Sequence, residues 1–399
     1  MHLRNITLDE RRALLAISSL PQVSVGVVEI TNTQLEKSII DATKSVRDSF
    51  LQTGFHNYDD QPLGQNLKVQ RTAFVYSDRQ MVETSISLYR PETKSGDPRL
   101  WIFQFNKLSP ETQAGDLVAI AQNGEICIAI NVSRFDIGCI SSGKTLLNAS
   151  TSSDQINLVG TNAERLLQEF RILASRGPIP SFKSGSTAVG HAIETALNIT
   201  QNSSKDPDKY GIEIKASRHS SKTRVNLFAQ VPAWKDSTCK SSAEILDRFG
   251  YVDDKGRHAL RCTVSALSPN TQGLFFEVDF INSRLNERHR VGTIESEVAS
   301  WKLEKLRERL ASKHHETFWV DAEELQIDGD FYFRLRKITH TRSPNLTAFA
   351  IMIEDGLITM DHVMKRNESG AAEEKGPLFK IWEKDLPRLF TIVGEYEFS

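Results

Sequence analysis

Along the first third of the chain, apolar and polar positions alternate in short runs. SVGVVEI (24–30), TAFVYS (72–77), ETSISLYR (83–90), RLWIFQF (99–105), DLVAIAQ (116–122) and EICIAINVS (125–133) are rich in β-branched and aromatic residues. Turn chemistry separates them, with Asn-Gly at 123–124 and PETKSGDP at 91–98. Short strands at this spacing predict an all-β barrel or sandwich. The polar stretch SSGKTLLNASTSSDQ (141–155) predicts a linker, dividing the chain into domains 1–155 and 156–399.

Beyond the linker the period changes. TNAERLLQEFRILAS (161–175) spaces Leu166, Leu167, Phe170, Ile172 and Leu173 as one face of a helix. GSTAVGHAIETALNI (185–199), SAEILDRF (242–249) and VASWKLEKLRERLAS (298–312) predict further helices, the last with Leu303, Leu306 and Leu310 on one side. IEIKAS (212–217) and RVNLFAQV (224–231) predict strands, and ALRCTVSAL (259–267) with GLFFEVDF (273–280) predicts a strand pair. TFWVDAEE and FYFRLRKI predict two more strands, and a short helix follows around TAFAIMIEDG. This second part is a mixed α/β domain.

Composition changes the picture little. The chain has 399 residues, 39% hydrophobic and 25% charged, with a formal net charge of -2. That suits a folded two-domain protein and gives no whole-chain basic excess, although a local basic face is compatible with it. No run approaches a membrane span and the N-terminus lacks an apolar signal core, so a cytoplasmic protein is expected. The cysteines at 127, 139, 239 and 262 have no close pairing and predict reduced thiols.

Candidate chemistry centres on DPDKYGIEIKASR (206–218). In a strand, Glu213 and Lys215 share one face while Ile212 and Ile214 take the other. Asp208 lies five residues before Glu213. Two carboxylates and the carbonyl of Ile214 suit a hard cation such as Mg²⁺, and Lys215 suits a phosphoryl oxygen or an attacking water. The spacing alone also fits a solvated strand edge. Arg218, His219, Lys222 and Arg224 follow with no acidic residue among them, a set suited to phosphate contacts.

The order Gly185, Gly190, Glu194, Pro207, Asp208, Gly211, Glu213, Lys215 resembles the catalytic core of the MvaI/BcnI restriction endonucleases, a branch of the PD-(D/E)XK nucleases. The resemblance implies a restriction-endonuclease-like α/β fold and Mg²⁺-dependent cutting of double-stranded DNA. It implies Asp208 and Glu213 as metal ligands, Lys215 as catalytic lysine and Glu194 as accessory acid, with Asp206 at the wrong spacing to replace Asp208. Residues 353–381 resemble the family's recognition region, though Lys375-Gly-Pro-Leu-Phe379-Lys380 departs from its turn at two side chains. Asp361, His362, Arg366, Lys375 and Lys380 are expected to touch bases or phosphates.

Residues 83–121 resemble the EcoRII-type N-terminal effector domain, a DNA-binding pseudobarrel, through Gly96-Asp97-Pro98-Arg99, Trp101 and Gly115-Asp116. Arg90, Lys94 and Arg99 are the expected contacts on a charged loop. Together the two resemblances imply a type IIE endonuclease acting on CC(A/T)GG, cut before the central base pair, with a second copy of the site bound by residues 1–155. They imply 5′-phosphate and 3′-hydroxyl ends, a monomer nicking each strand in turn, and a cognate DNA methyltransferase protecting the host. A DNA-binding protein with an inactive core is the non-enzymatic alternative. GCISSGKT (138–145) also satisfies a phosphate-loop pattern around Lys144, but the residues after it form a poor helix.

Overall fold

The structure is a computed structural model that describes residues 3–20, 23–77, 80–123, 126–135, 161–185, 187–199, 207–219 and 223–398. Lys222, Asp206, the expected linker and the Gly-Lys-Thr loop therefore lie outside the described residues.

The first third forms a seven-stranded barrel-like sheet. Its strands are β1 (Ser24–Glu29), β2 (Ile39–Asp41), β3 (Val69–Ser77), β4 (Gln80–Tyr89), β5 (Arg99–Ile102), β6 (Leu117–Asn123) and β7 (Ile126–Asn131), in the order β1-β6-β7-β3-β4-β5-β2. All neighbours are antiparallel except β3 and β7. The strand expectations hold, save that 99–105 stops at Ile102. There Gln104 turns left-handed (φ 55) and Phe105 buries itself as the start of a helical turn. Strand alternation alone passes over the helices α1 (Leu8–Ser18), α2 (Asn32–Lys37), α3 (Lys44–Thr53) and α4 (Phe105–Leu108). The first starts at a capping box in which the Thr7 hydroxyl accepts from the Glu10 N–H and the Glu10 carboxylate accepts from the Thr7 N–H.

After residue 160 come α5 (Asn162–Ser175), β8 (Ile179–Pro180), α6 (Ala188–Ala196), β9 (Glu213–Arg218), β10 (Val225–Ala229), α7 (Ser242–Phe249), β11 (Tyr251–Val252) and β12 (His258–Val264). Then follow β13 (Leu274–Asp279), β14 (Arg284–Val291), β15 (Ile294–Lys302), α8 (Leu303–Lys313), β16 (Glu316–Ile327) and β17 (Asp330–Pro344). The chain closes with α9 (Leu346–Glu354), β18 (Ile358–Arg366), β19 (Ala372–Glu374), β20 (Leu378–Ile381), α10 (Leu386–Leu389) and β21 (Phe390–Glu397).

These strands build three sheets. The first runs β21-β17-β16-β9, with β8 beside β17 and β9 parallel to β16. Its Ile212, Ile214, Phe318 and Val320 pack under α5 and α6. The second runs β10-β20-β18-β12-β11, and β13-β14-β15 is a separate meander. Two expectations are corrected here. The runs at 259–267 and 273–280 do not pair with each other: β12 joins β18 and β13 joins β14. The helix expected from 298 starts only at Leu303, because Val298, Ala299 and Trp301 are buried as part of β15. β-branched and aromatic residues favour that extended end.

Candidate active site

A two-residue turn presents the first carboxylate. Lys209 and Ile212 exchange backbone hydrogen bonds (3.1 and 2.8 Å) around Tyr210 (φ 54) and Gly211 (φ 80). Positive φ at both central positions is the twist that hairpin turns need, and it strains any residue but glycine. Side chains hold the strained Tyr210 in place. Its hydroxyl donates to Glu169 of α5 at 2.6 Å, Lys209 Nζ meets the same carboxylate at 2.5 Å, and Arg165 lies 4.2 Å over the Tyr210 ring. Asp208, just before the turn, then accepts the Ile214 N–H at 2.8 Å through Oδ2.

The strand alternation predicted for 212–217 is present. Ile212 and Ile214 face the α5–α6 core, and Glu213 and Lys215 face the other way. That other face is not solvent. Glu213 is 0% exposed, which removes the solvated-edge alternative. Its Oε1 is ion-paired with Lys215 and, at 2.8 Å, with Lys313 Nζ from the last turn of α8. Neither Glu213 oxygen accepts a hydrogen bond of good direction.

The two carboxyl groups are driven apart in acidity. Burial would raise Glu213, but the Lys215 and Lys313 ammonium groups outweigh it and hold the carboxyl below its ordinary value. Burial and then the Glu213 charge push Asp208 above its ordinary value. Divergent pairs of this kind mark working sites more often than structural ones. Glu194 is half-buried on α6, which packs on β9. Among the described residues no three His, Cys, Asp or Glu side chains gather into a metal-holding group, so Asp208 and Glu213 stand as a pair. A fully buried carboxylate lacking well-directed donors, beside a second carboxylate, fits a hard oxygen-seeking cation.

Lys313 was missed from the sequence because α8 is rich in Lys, Arg and Glu and reads as a solvated helix. Its spacing carried the signal: Leu303, Leu306, Leu310 and Lys313 follow steps of three, four and three along the buried stripe. His314 comes next and is 0% exposed. Its Nε2 lies 2.8 Å from the Leu227 carbonyl, which can only accept, so Nε2 carries the proton and Nδ1 accepts from the Thr317 hydroxyl at 3.0 Å. Burial pushes this imidazole down to about 4 and keeps it neutral.

The β10-β20-β18-β12 sheet brings some of the expected DNA contacts together. Arg224 donates to Asp361 and Thr263 (2.9 Å each) and to the Thr359 hydroxyl. Lys380 Nζ lies 2.9 Å from the other Asp361 oxygen. Burial would raise Asp361, but Lys380, Thr263 and Arg224 hold it low. His362 is a correction. It points to the opposite face, is 1% exposed, and pairs with the equally buried Glu287 at 2.8 Å, so it supports the strand from beneath. Arg366 is tied to Asp247 (2.5 Å) and the Gly370 carbonyl (2.8 Å), whereas Lys375 is exposed. Arg218 is held by Glu324 (2.6 Å) and the Gly185 carbonyl (2.8 Å). Exposed His219 meets Asp321 at 2.5 Å, a hydrogen bond that raises its pKa.

The loop expected to be a free arm at 91–98 folds back on the first sheet. The Arg90 guanidinium donates to the Gly96 carbonyl at 3.2 Å, so that side chain is committed to holding the loop. Arg99 faces Asp41 at 3.8 Å, and Lys94 is exposed.

Comparison with known proteins identifies the family and the fold. The model of the MvaI/BcnI restriction endonuclease family matches residues 167–390. A search of curated protein sequences finds no match. The solved complex of restriction endonuclease MvaI with cognate DNA substrate superposes with a TM-score of 0.53 at 18% identity, over 59% of this chain and 98% of that one. MvaI in the absence of DNA gives 0.37 at 17% identity, over 58% and 96%. The first of these shows a shared restriction-endonuclease-like α/β fold. With a family match over more than half its length, this chain belongs to the MvaI/BcnI restriction endonuclease family and is a type II site-specific deoxyribonuclease.

Proposed function

We propose that the chain hydrolyses duplex DNA with Mg²⁺ held by Asp208, Glu213 and the Ile214 carbonyl. The observation that carries this is the fully buried Glu213 carboxylate, set beside Asp208 and kept ionised by lysines. The cation would polarise the scissile phosphate and lower the pKa of a bound water. Lys215, two residues along the same strand face, donates to the attacking water or a phosphoryl oxygen. Glu194 serves as accessory acid from α6. The products are a 5′-phosphate and a 3′-hydroxyl, in keeping with the PD-(D/E)XK reading.

Recognition falls to the face bearing Arg224, Asp361 and Lys380, with Lys375, Arg366, Arg218 and His219 serving backbone or base contacts. A cation suits guanine O6 and N7, and a carboxylate suits the cytosine amino group. That chemistry agrees with a CC(A/T)GG target. Residues 1–155, which precede the family match, bind a second copy of the site through Lys94 and Arg99, making a type IIE enzyme that works as a monomer. A cognate methyltransferase protects host DNA.

Plasmid digestion by wild type and by Lys215→Ala, with Mg²⁺ or EDTA and with the ends sequenced, tests the reading. Discrete Mg²⁺-dependent cuts that vanish in the variant support it and give the target directly. Cuts that survive Lys215→Ala or EDTA overturn the assignment of this centre.

A further inference from the structure

Lys313 touches the centre from an element 98 positions beyond Lys215 in sequence, and the nuclease motif does not include it. Its ammonium stands 2.8 Å from Glu213 Oε1, and its side chain keeps 15% of its exposure. It is firmly aimed. Leu303, Leu306 and Leu310, each at most 1% exposed, fix the helix face that delivers it. The next residue, His314, is locked by one hydrogen bond donated from Nε2 and one accepted at Nδ1, and stacks on Trp319 at 5.4 Å and 8°. A lysine held this way gives up much side-chain entropy and hydration, a loss that a solvated surface lysine avoids.

Lys215 and Lys313 both sit at Oε1 of Glu213. The centre thus holds two ammonium groups against two carboxylates, and one lysine would be enough to anchor Glu213. An ammonium has three N–H donors, and one ion pair leaves the others available. Phosphodiester hydrolysis calls for such donors. As the water oxygen bonds to phosphorus and the P–O3′ bond breaks, negative charge grows on the non-bridging oxygens and on the departing 3′-oxygen. Prepositioned cations that meet this charge lower the barrier.

We propose that Lys313 is a second catalytic lysine, donating to a non-bridging oxygen of the scissile phosphate while Lys215 serves the attacking water. This rests on the nuclease reading of Asp208, Glu213 and Lys215. Lys313 keeps all its protons through the step: of the two protons of the water, one ends on the 3′-oxygen and the other passes to solvent.

The test compares wild type, Lys313→Met, Lys313→Gln and Lys313→Arg in single-turnover cleavage with enzyme in excess. Binding of the same duplex in Ca²⁺ and urea unfolding are measured alongside. The expected result is a cleavage rate lowered ~10²-fold or more in the Met and Gln variants. Duplex affinity should stay within a few fold, and Lys313→Arg should recover at least tenfold. If Met proves too unstable, Gln, which keeps a polar end, carries the test. Folded variants that cleave at the wild-type rate overturn the proposal, as does a loss fully repaired by raising Mg²⁺, which would make Lys313 only a support for Glu213. Lys215→Ala runs in parallel. If that variant still cuts, the nuclease reading of the centre has failed; if it is inactive while the Lys313 variants cut normally, only the second lysine has.

Discussion

Replacing Glu213 by Gln keeps the volume and removes one charge at the point where four charged groups meet. The lost partner is a carboxylate with no exposure, 2.8 Å from Lys313 and paired with Lys215. Removing one member of a buried pair costs about 3–5 kcal/mol, most of it from the charge left behind. Here the lysine side chains keep 15% and 25% of their exposure, so their ammonium groups regain part of their hydration. That reduces the cost to about 2–3 kcal/mol. Asp208 offsets some of it, because after burial the Glu213 charge helps push its carboxyl up, and a neutral amide in its place relieves that. The expected net loss is about 1–2 kcal/mol in urea unfolding near neutral pH without divalent ions. Adding Lys313→Met should recover part of it by removing an orphaned ammonium. The sign with pH follows from the depressed Glu213 value: its contribution is present above the unfolded value of 4.5 and fades as pH falls through the lower folded value. The gap between wild type and variant therefore closes in acid. A variant as stable as wild type at neutral pH, or a double variant that loses the full sum of both single changes, would refute the reasoning.

Three other outcomes are expected. Glu169→Ala removes the carboxylate shared by Lys209 and Tyr210, loosening the turn that presents Asp208; single-turnover cleavage should fall ~10-fold while duplex binding in Ca²⁺ is retained, and unchanged cleavage would deny the clamp its role. Glu10 is held down to about 2 by Arg4, Ser133 and the Thr7 N–H against the opposing effect of burial. Glu10→Gln should therefore cost ~2–3 kcal/mol at neutral pH, a difference present above 4.5 that disappears as pH falls through about 2, followed by urea unfolding across that range. Asp361→Asn leaves Arg224 and Lys380 without their shared carboxylate, and cleavage of the cognate duplex relative to single-base variants should drop by ~10–100-fold; an unaltered preference would remove this face from recognition.

Six strands of the first sheet and the shared face of Glu213 and Lys215 were legible because alternation is a local property of sequence, whereas Asp208 was singled out by the resemblance. Period two placed Ile212 and Ile214 inward and Glu213 with Lys215 opposite, as the structure has it. It could not say that the opposite face is also buried, since that depends on α8 arriving from 90 residues downstream. The same limit hid the strand character of 298–302. Apolar Val298, Ala299 and Trp301 fit a helix face as well as a strand buried on both sides, and only the β14 partner decides. His362 misled for a related reason. A His beside an Asp in a presumed recognition strand reads as a pair of contacts, yet neighbours in a strand face opposite ways, and one of the two had to point into the core.

The first sheet and the nuclease body are joined by packing as well as by covalent connection. Leu14 and Ile17 of α1, Val25 and Val27 of β1, and Phe349, Met352 and Ile353 of α9 belong to one apolar core. Arg11 pairs with Glu354 (2.9 Å) and Asp355 (3.3 Å) across this contact, and Gln52 donates to the Pro344 carbonyl at 2.9 Å. The helix carrying Lys313 runs along the same boundary. At its first turn Glu304 lies 3.5 Å from Lys44 of α3, and Arg307 donates to the Leu346 carbonyl at 3.0 Å beside a cleft of about 450 Å³ between α3 and α8. The nine steps from Glu304 to Lys313 span about 14 Å of rigid helix. A shift of the first sheet that disturbs Lys44 or the cleft wall therefore acts on the same helix that sets Lys313 against Glu213. Because packed interfaces move as units and deform little, the packing couples the first sheet physically to the helix that reaches Glu213.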